Sequence, residues 1–234
     1  MDRFRRLFTI ALLAGTAAGL ILFVVHHVAI VPLIDAAEQL EEAAAHAEAA
    51  AGHVHEESGW QPEPGFQRIG LTAVTTVLTS IGFASVLLAA MSFGRAAIDG
   101  RRGLLWGLAG FTCFALAPAL GLAPKPPGAA VGDLDLRQYW WLATVLATAG
   151  GLWLAAGRGH AWWLRAAGVA VMVVPHLAGT PPPEGTDAVP PAMLRDFARL
   201  SLAASLIFWV SLGGFCGALW RRMPPGGPKM EPPG

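Results

Sequence analysis

The sequence predicts an all-α fold, a polytopic integral membrane helix bundle with six transmembrane helices and both termini cytoplasmic. Three observations predict it. First, 54% of the 234 residues are hydrophobic and only 14% are charged, against roughly 25% charged in an average soluble domain. Mean hydropathy is +0.51. Second, the charges are clustered, and the uncharged runs between them reach the length of about 20 residues that a membrane-spanning helix needs. Third, the charges flanking those runs sort by sign. Formal net charge is zero, so there is no basic footprint for a nucleic-acid partner.

The spans follow in order. The uncharged run Leu7–Ile34 lies behind Arg3, Arg5 and Arg6. It is longer than the roughly 7–15-residue apolar core of a cleaved signal peptide, so a retained helix over about 7–30 is expected. Residues 35–68 form the one long hydrophilic stretch, an outer loop rich in His and Glu. Further spans are expected at 69–94, 103–123, 138–157, 162–180 and 200–220. The fifth is the shortest. Its apolar part, Ala166–Pro183, contains Pro175 and His176 and leans on Trp162 and Trp163, which leaves a five-span or re-entrant alternative. Residues 1–222 then make a single membrane-embedded bundle, and the Pro/Gly-rich tail 223–234 is expected to be disordered.

Charge sorting selects six spans. With the N-terminus inside, 11 of the 16 basic residues fall on the inner side and 13 of the 16 acidic residues on the outer side. That is the positive-inside pattern. A five-span chain would put Arg221 and Arg222 outside. Glycines four apart at Gly15/Gly19, Gly103/Gly107 and Gly213/Gly217 allow helices to approach closely in lipid. Cys113 and Cys216 lie in apolar runs and read as small buried hydrophobes rather than a disulfide.

Chemistry concentrates on the outer side. The segment after Asp35 is rich in Ala and Glu, both good helix formers. On a helix Asp35, Glu38, Glu42 and His46 share one face. His53 and His55 follow, and His26 and His27 lie near the outer end of the first span. Imidazole and carboxylate together suit divalent first-row metals. His26, His27, Glu38, Glu42, His46, His53 and His55 are therefore candidate metal ligands. The same residues equally fit a solvated helix and linker. His176, an ionisable group at membrane depth, is the eighth candidate; a hydrogen-bonded anchor at the interface is its alternative. Pro175 beside it frees a backbone carbonyl. Haem ligation by His26, His27 and His176 is a lesser alternative. There is no G-x-x-x-x-G-K-[ST] loop for nucleotide and no H-E-x-x-H.

Those residues sit in a longer pattern. FRRLF at Phe4–Phe8, VPLIDAAEQLE at Val31–Glu41, LLWGLAGFTCFALAPALGLAPKPPG at Leu104–Gly128, RQYWWLATVLATAGGL at Arg137–Leu152 and VPHLAGTPPP at Val174–Pro183 follow one another in order. In sequence and spacing the chain resembles the CbtA family of cobalt transporter subunits. Ala123, Lys125 and Pro126 depart from that family's LPPELPG-like ending. The resemblance implies a permease subunit of the bacterial inner membrane that supplies cobalt for cobalamin synthesis. It implies cobalt as the transported ion; His and carboxylate ligands by themselves would accept nickel or zinc as readily. It also implies a small single-helix, His-rich CbtB-type partner and about five spans. A membrane-embedded metal-binding or assembly subunit that moves nothing alone is the competing role.

Overall fold

A computed structural model describes residues 2–50, 62, 65–93, 98–157 and 159–223. Its regular elements are helices: α1 (Asp2–Val25), a π-helical turn (His26–Ile30), α2 (Val31–Ala50), α3 (Phe66–Phe93), α4 (Gly100–Phe111), a second π-helical turn (Thr112–Leu116), α5 (Ala117–Ala119), α6 (Leu134–Ala156), α7 (Trp162–Ala178) and α8 (Pro191–Arg222). Among the described residues, extended pairing is limited to one isolated bridge, Val131 with Glu184. Five helical stretches are long and apolar enough to cross a membrane, and α7, with 17 residues, is the shorter sixth. The all-helical, multi-pass reading of the sequence therefore holds.

Helix ends have local causes. Asp133 caps α6, its Oδ1 accepting from the Leu136 N–H at 2.9 Å, and Asp99 caps α4 through the Arg102 N–H at 2.8 Å. Each carboxylate satisfies a first-turn donor and favours the positive end of the helix dipole. α8 opens on Pro191, where a missing N–H costs nothing. α7 ends at Gly179, whose φ of 87° belongs to the region that favours glycine.

Two boundaries differ most from the expected spans. The first helix does not stop near residue 30: the helical stretch runs on through His46 and ends as α2 at Ala50. α8 begins nine residues earlier than expected, at Pro191 rather than residue 200. Charge marks where a helix leaves lipid, not where its backbone hydrogen bonds end, and the Ala/Glu run of α2 has high helix propensity.

The chain divides into two compact units. One comprises Met1–Val24, Pro62–Leu108 and Leu206–Gly234. Its interior holds Ile10, Leu88, Met91, Leu212 and Cys216, all essentially inaccessible. Phe83 meets Trp209 edge-on with ring centroids 5.2 Å apart. Two of the glycine pairs of the sequence, Gly103/Gly107 and Gly213/Gly217, face one another here. A Cβ on Gly213 would stand 2.7 Å from the Gly107 Cα, and one on Gly103 2.9 Å from the Gly217 Cα. Likewise a Cβ on Gly15 would meet the Ile81 Cα at 2.5 Å. Only glycine lets these backbones come so close, the packing that holds helices together where lipid removes the hydrophobic driving force.

The second unit comprises Val25–Gln61 and Ala109–Ser205. α6 and α7 form a hairpin that crosses at Gly151 and Gly168. A Cβ on either would lie 2.5–2.6 Å from the other's carbonyl oxygen. Trp140, Thr144 and Thr148 occupy one buried face of α6.

Candidate functional site

Both π-helical turns belong to the second unit, and the sequence explains them. Each is followed, after one residue, by a proline: Pro32 after His26–Ile30 and Val31, Pro118 after Thr112–Leu116 and Ala117. Proline lacks an N–H, and its ring collides with the carbonyl four residues back, at Val28 or Phe114. Widening the preceding turn removes that collision. The bond that marks the wide turn is the Val31 N–H to the His26 carbonyl, with its counterpart from Ala117 to Thr112. Single π turns inside α-helices occur disproportionately at functional sites, and this one starts at the histidine pair. His26 is half-buried and His27 exposed.

Beyond that turn, α2 carries the predicted acidic face. Asp35, Glu42 and His46 are exposed and Glu38 is half-buried. His46 Nδ1 donates to the Glu42 carbonyl at 2.9 Å. That bond selects the tautomer whose Nε2 lone pair can bind a metal, the usual arrangement for a ligating histidine. His53 and His55 lie outside the described residues.

His176 sits one residue beyond Pro175, near the end of α7. Its ring meets the buried Trp140 edge-on, with centroids 5.6 Å apart and planes at 74°. Trp140 Nε1 donates to the Pro175 carbonyl at 3.2 Å. This indole therefore satisfies a last-turn carbonyl of α7 and positions the imidazole beside it. The carbonyl that Pro175 frees is that of Val171, four residues back; the indole instead takes the Pro175 carbonyl, one of those left open by the end of α7. A Cβ on Gly121 would stand 2.7 Å from both Trp140 Cζ2 and Thr180 Cγ2, so glycine there makes room for the indole.

The two proline-rich loops are joined, which the sequence reading did not foresee. Ala188 N–H donates to the Gly128 carbonyl at 2.8 Å, and Glu184 N–H to the Val131 carbonyl at 3.2 Å. Asp187 Oδ1 accepts from the Ala130 N–H at 2.8 Å. Lys125 Nζ donates to the Ala130 carbonyl at 2.6 Å and stands 3.9 Å from Asp187. Glu41 of α2 lies against the same loop, since a Cβ on Gly128 would meet its Cβ at 3.1 Å. The signals were present in the opposite charges of Lys125 and Asp187 and in the stiffness of the prolines, but partner choice between loops is not local information. A second omission is the buried hydroxyl pair on α6. Thr144 Oγ1 donates to the Trp140 carbonyl at 2.9 Å, whereas the buried Thr148 Oγ1 has no hydrogen-bond partner.

Among the described residues, no three His, Cys, Asp or Glu side chains gather closely enough to hold a metal ion. Every described candidate ligand nevertheless falls within one unit, from His26 to His46 and at His176. The family model described as "Probable cobalt transporter subunit (CbtA)" matches residues 4–221. The chain belongs to the CbtA family. Comparison with curated proteins and with solved structures gave no match. As a CbtA chain it is a multi-pass membrane protein of a family described as probable cobalt transporter subunits, which is a non-enzyme role for the family.

Proposed function

We propose that this CbtA chain is the permease subunit for Co²⁺ uptake across the bacterial inner membrane. Residues 1–222 act as one embedded body with both termini cytoplasmic; residues 224–234 lie outside the described residues. Glu38, Glu42, His46, His53 and His55 gather the hydrated ion on the periplasmic side. His26, His27 and His176 then offer replacement ligands at the outer mouth. The observation that carries this reading is the π-helical turn opening on His26–His27, in the same unit as the His/Glu face of α2 and His176. Uptake requires ligands loose enough to release the ion, because an ion bound by a closed ligand set would not leave. Nickel and zinc fit the same ligand chemistry.

The test is cellular metal content by mass spectrometry in cells grown in trace Co²⁺, Ni²⁺ and Zn²⁺, against empty-vector controls. Expression should raise cobalt, and His26→Ala/His27→Ala and His176→Ala should each abolish the gain at unchanged membrane abundance. Normal uptake in both variants would remove the histidines from the mechanism. The family's description as a subunit favours one second reading, a metal-handling subunit that needs a partner. It predicts no gain from this chain alone and a gain on co-expression with a small His-rich single-helix protein.

A further inference from the structure

One end of the first unit concentrates arginine. Arg6 Nη2 donates to the Trp220 carbonyl at 2.7 Å, and its guanidinium lies 4.6 Å over the Trp220 ring. This clasp sets the start of α1 beside the end of α8, so Arg3 and Arg5 come level with Arg221 and Arg222. α4 joins them. A Cβ on Gly217 would stand 2.5 Å from the Asp99 carbonyl oxygen, which places Arg101 and Arg102 within about one helical turn of the same level. Two described carboxylates belong to this end, Asp99, already used as the cap of α4, and Asp2, the first residue of α1, against seven described arginines counting Arg6.

Aromatic side chains share this end. Phe4 and Phe8 stack with centroids 6.3 Å apart, and both are exposed, as is Phe93. α1 and α3 run antiparallel, since Gly15 meets Ile81 and Gly19 meets Val77, and this brings Phe93 to the level of the arginines. Arg6 Nε is buried and has no hydrogen-bond partner.

We propose that this end binds an anionic phospholipid, with the headgroup phosphate among Arg3, Arg5, Arg101, Arg221 and Arg222 and the acyl chains against Phe4, Phe8 and Phe93. Guanidinium forks match phosphate oxygens, and so many like charges on one face repel unless an anion neutralises them. Inorganic phosphate would account for the arginines but not for the exposed phenylalanines. A lipid answers both, at the depth where headgroup meets hydrocarbon. Basic pockets between helices bind such headgroups on the side with the negative surface potential, which is the inner side by the charge-sorting reading.

The experiment uses the full chain in neutral detergent. Native mass spectrometry and the unfolding midpoint are read with phosphatidylglycerol, phosphatidylcholine or inorganic phosphate added at equal concentration. Phosphatidylglycerol should bind at least about tenfold more tightly than phosphatidylcholine and raise the midpoint. The exposed pair Arg221→Gln/Arg222→Gln should weaken it roughly 25-fold, about fivefold per arginine, with phosphatidylcholine unaffected. Should that variant not fold, Arg101→Gln alone is expected to lose about fivefold. Equal binding of the two lipids, or unchanged phosphatidylglycerol affinity in the folded variants, overturns the proposal. So does inorganic phosphate reproducing the whole effect, which would assign the arginines to a free anion.

Discussion

Gly213 and Gly214 are neighbours on α8, and the same substitution should have opposite effects at the two positions. A Cβ on Gly213 would stand 2.7 Å from both Cα and N of Gly107. Those atoms, and the Gly103 carbonyl oxygen that would be closer still, are backbone and cannot turn aside, so α4 and α8 must separate by at least about 0.7 Å to restore ordinary contact. A gap of that size forfeits about a quarter to a half of the dispersion energy of the neighbouring contacts. Overpacking of this kind costs about 1–3 kcal/mol, while replacing glycine by alanine in a helix returns up to about 1 kcal/mol. Gly213→Ala should therefore destabilise by about 1–2 kcal/mol. At Gly214 a Cβ would meet only the Leu104 Cδ2, at 3.4 Å, an ordinary contact with a flexible side-chain end. Gly214→Ala should leave stability unchanged or raise it by up to about 1 kcal/mol. The assay is denaturant unfolding of the purified proteins in detergent micelles, followed by tryptophan fluorescence, with Trp209 reporting on this interface. A difference between the two variants below about 0.5 kcal/mol, well inside the predicted gap, would refute the close-approach argument.

Pro32→Ala should supply the missing N–H and let the turn His26–Ile30 revert to α-helix, rotating His26 and His27 by about 100° relative to α2. Cobalt uptake should fall with membrane abundance unchanged; uptake at the wild-type level would detach the π turn from function. Trp140→Phe removes the donor to the Pro175 carbonyl, and about 1–3 kcal/mol of stability should go with it. The same denaturant-unfolding assay checks this, and a change under about 0.5 kcal/mol would mean that the carbonyl finds another partner. Thr148→Val replaces a buried, unpartnered hydroxyl with a methyl of the same shape, and should stabilise by about 1 kcal/mol. A loss of stability would show that the hydroxyl has a partner in the working protein.

Much of the fold was legible because lipid imposes a one-dimensional rule. A spanning segment must be long, apolar and internally hydrogen-bonded, and that rule can be read along the chain without knowing what touches what. The number of helical stretches, the shortness of α7 and the three glycine pairs all came from this source. Even the π turns were latent in the sequence, since Pro32 and Pro118 lie at the same distance after their turns. Span ends were read less well at α2 and α8, because composition reports the edge of lipid and not the last hydrogen bond.

Partner choice needed the tertiary structure. That Gly103 and Gly107 meet Gly213 and Gly217, rather than Gly15 and Gly19, depends on which helices are neighbours. That Trp140 holds the end of α7 beside His176, and that Lys125 binds the loop containing Asp187, are contacts between residues distant in sequence. No periodicity encodes them. Residue types and spacings set what each segment can do alone, and only the packed chain decides which donor finds which acceptor, because every buried polar group competes for the same few partners.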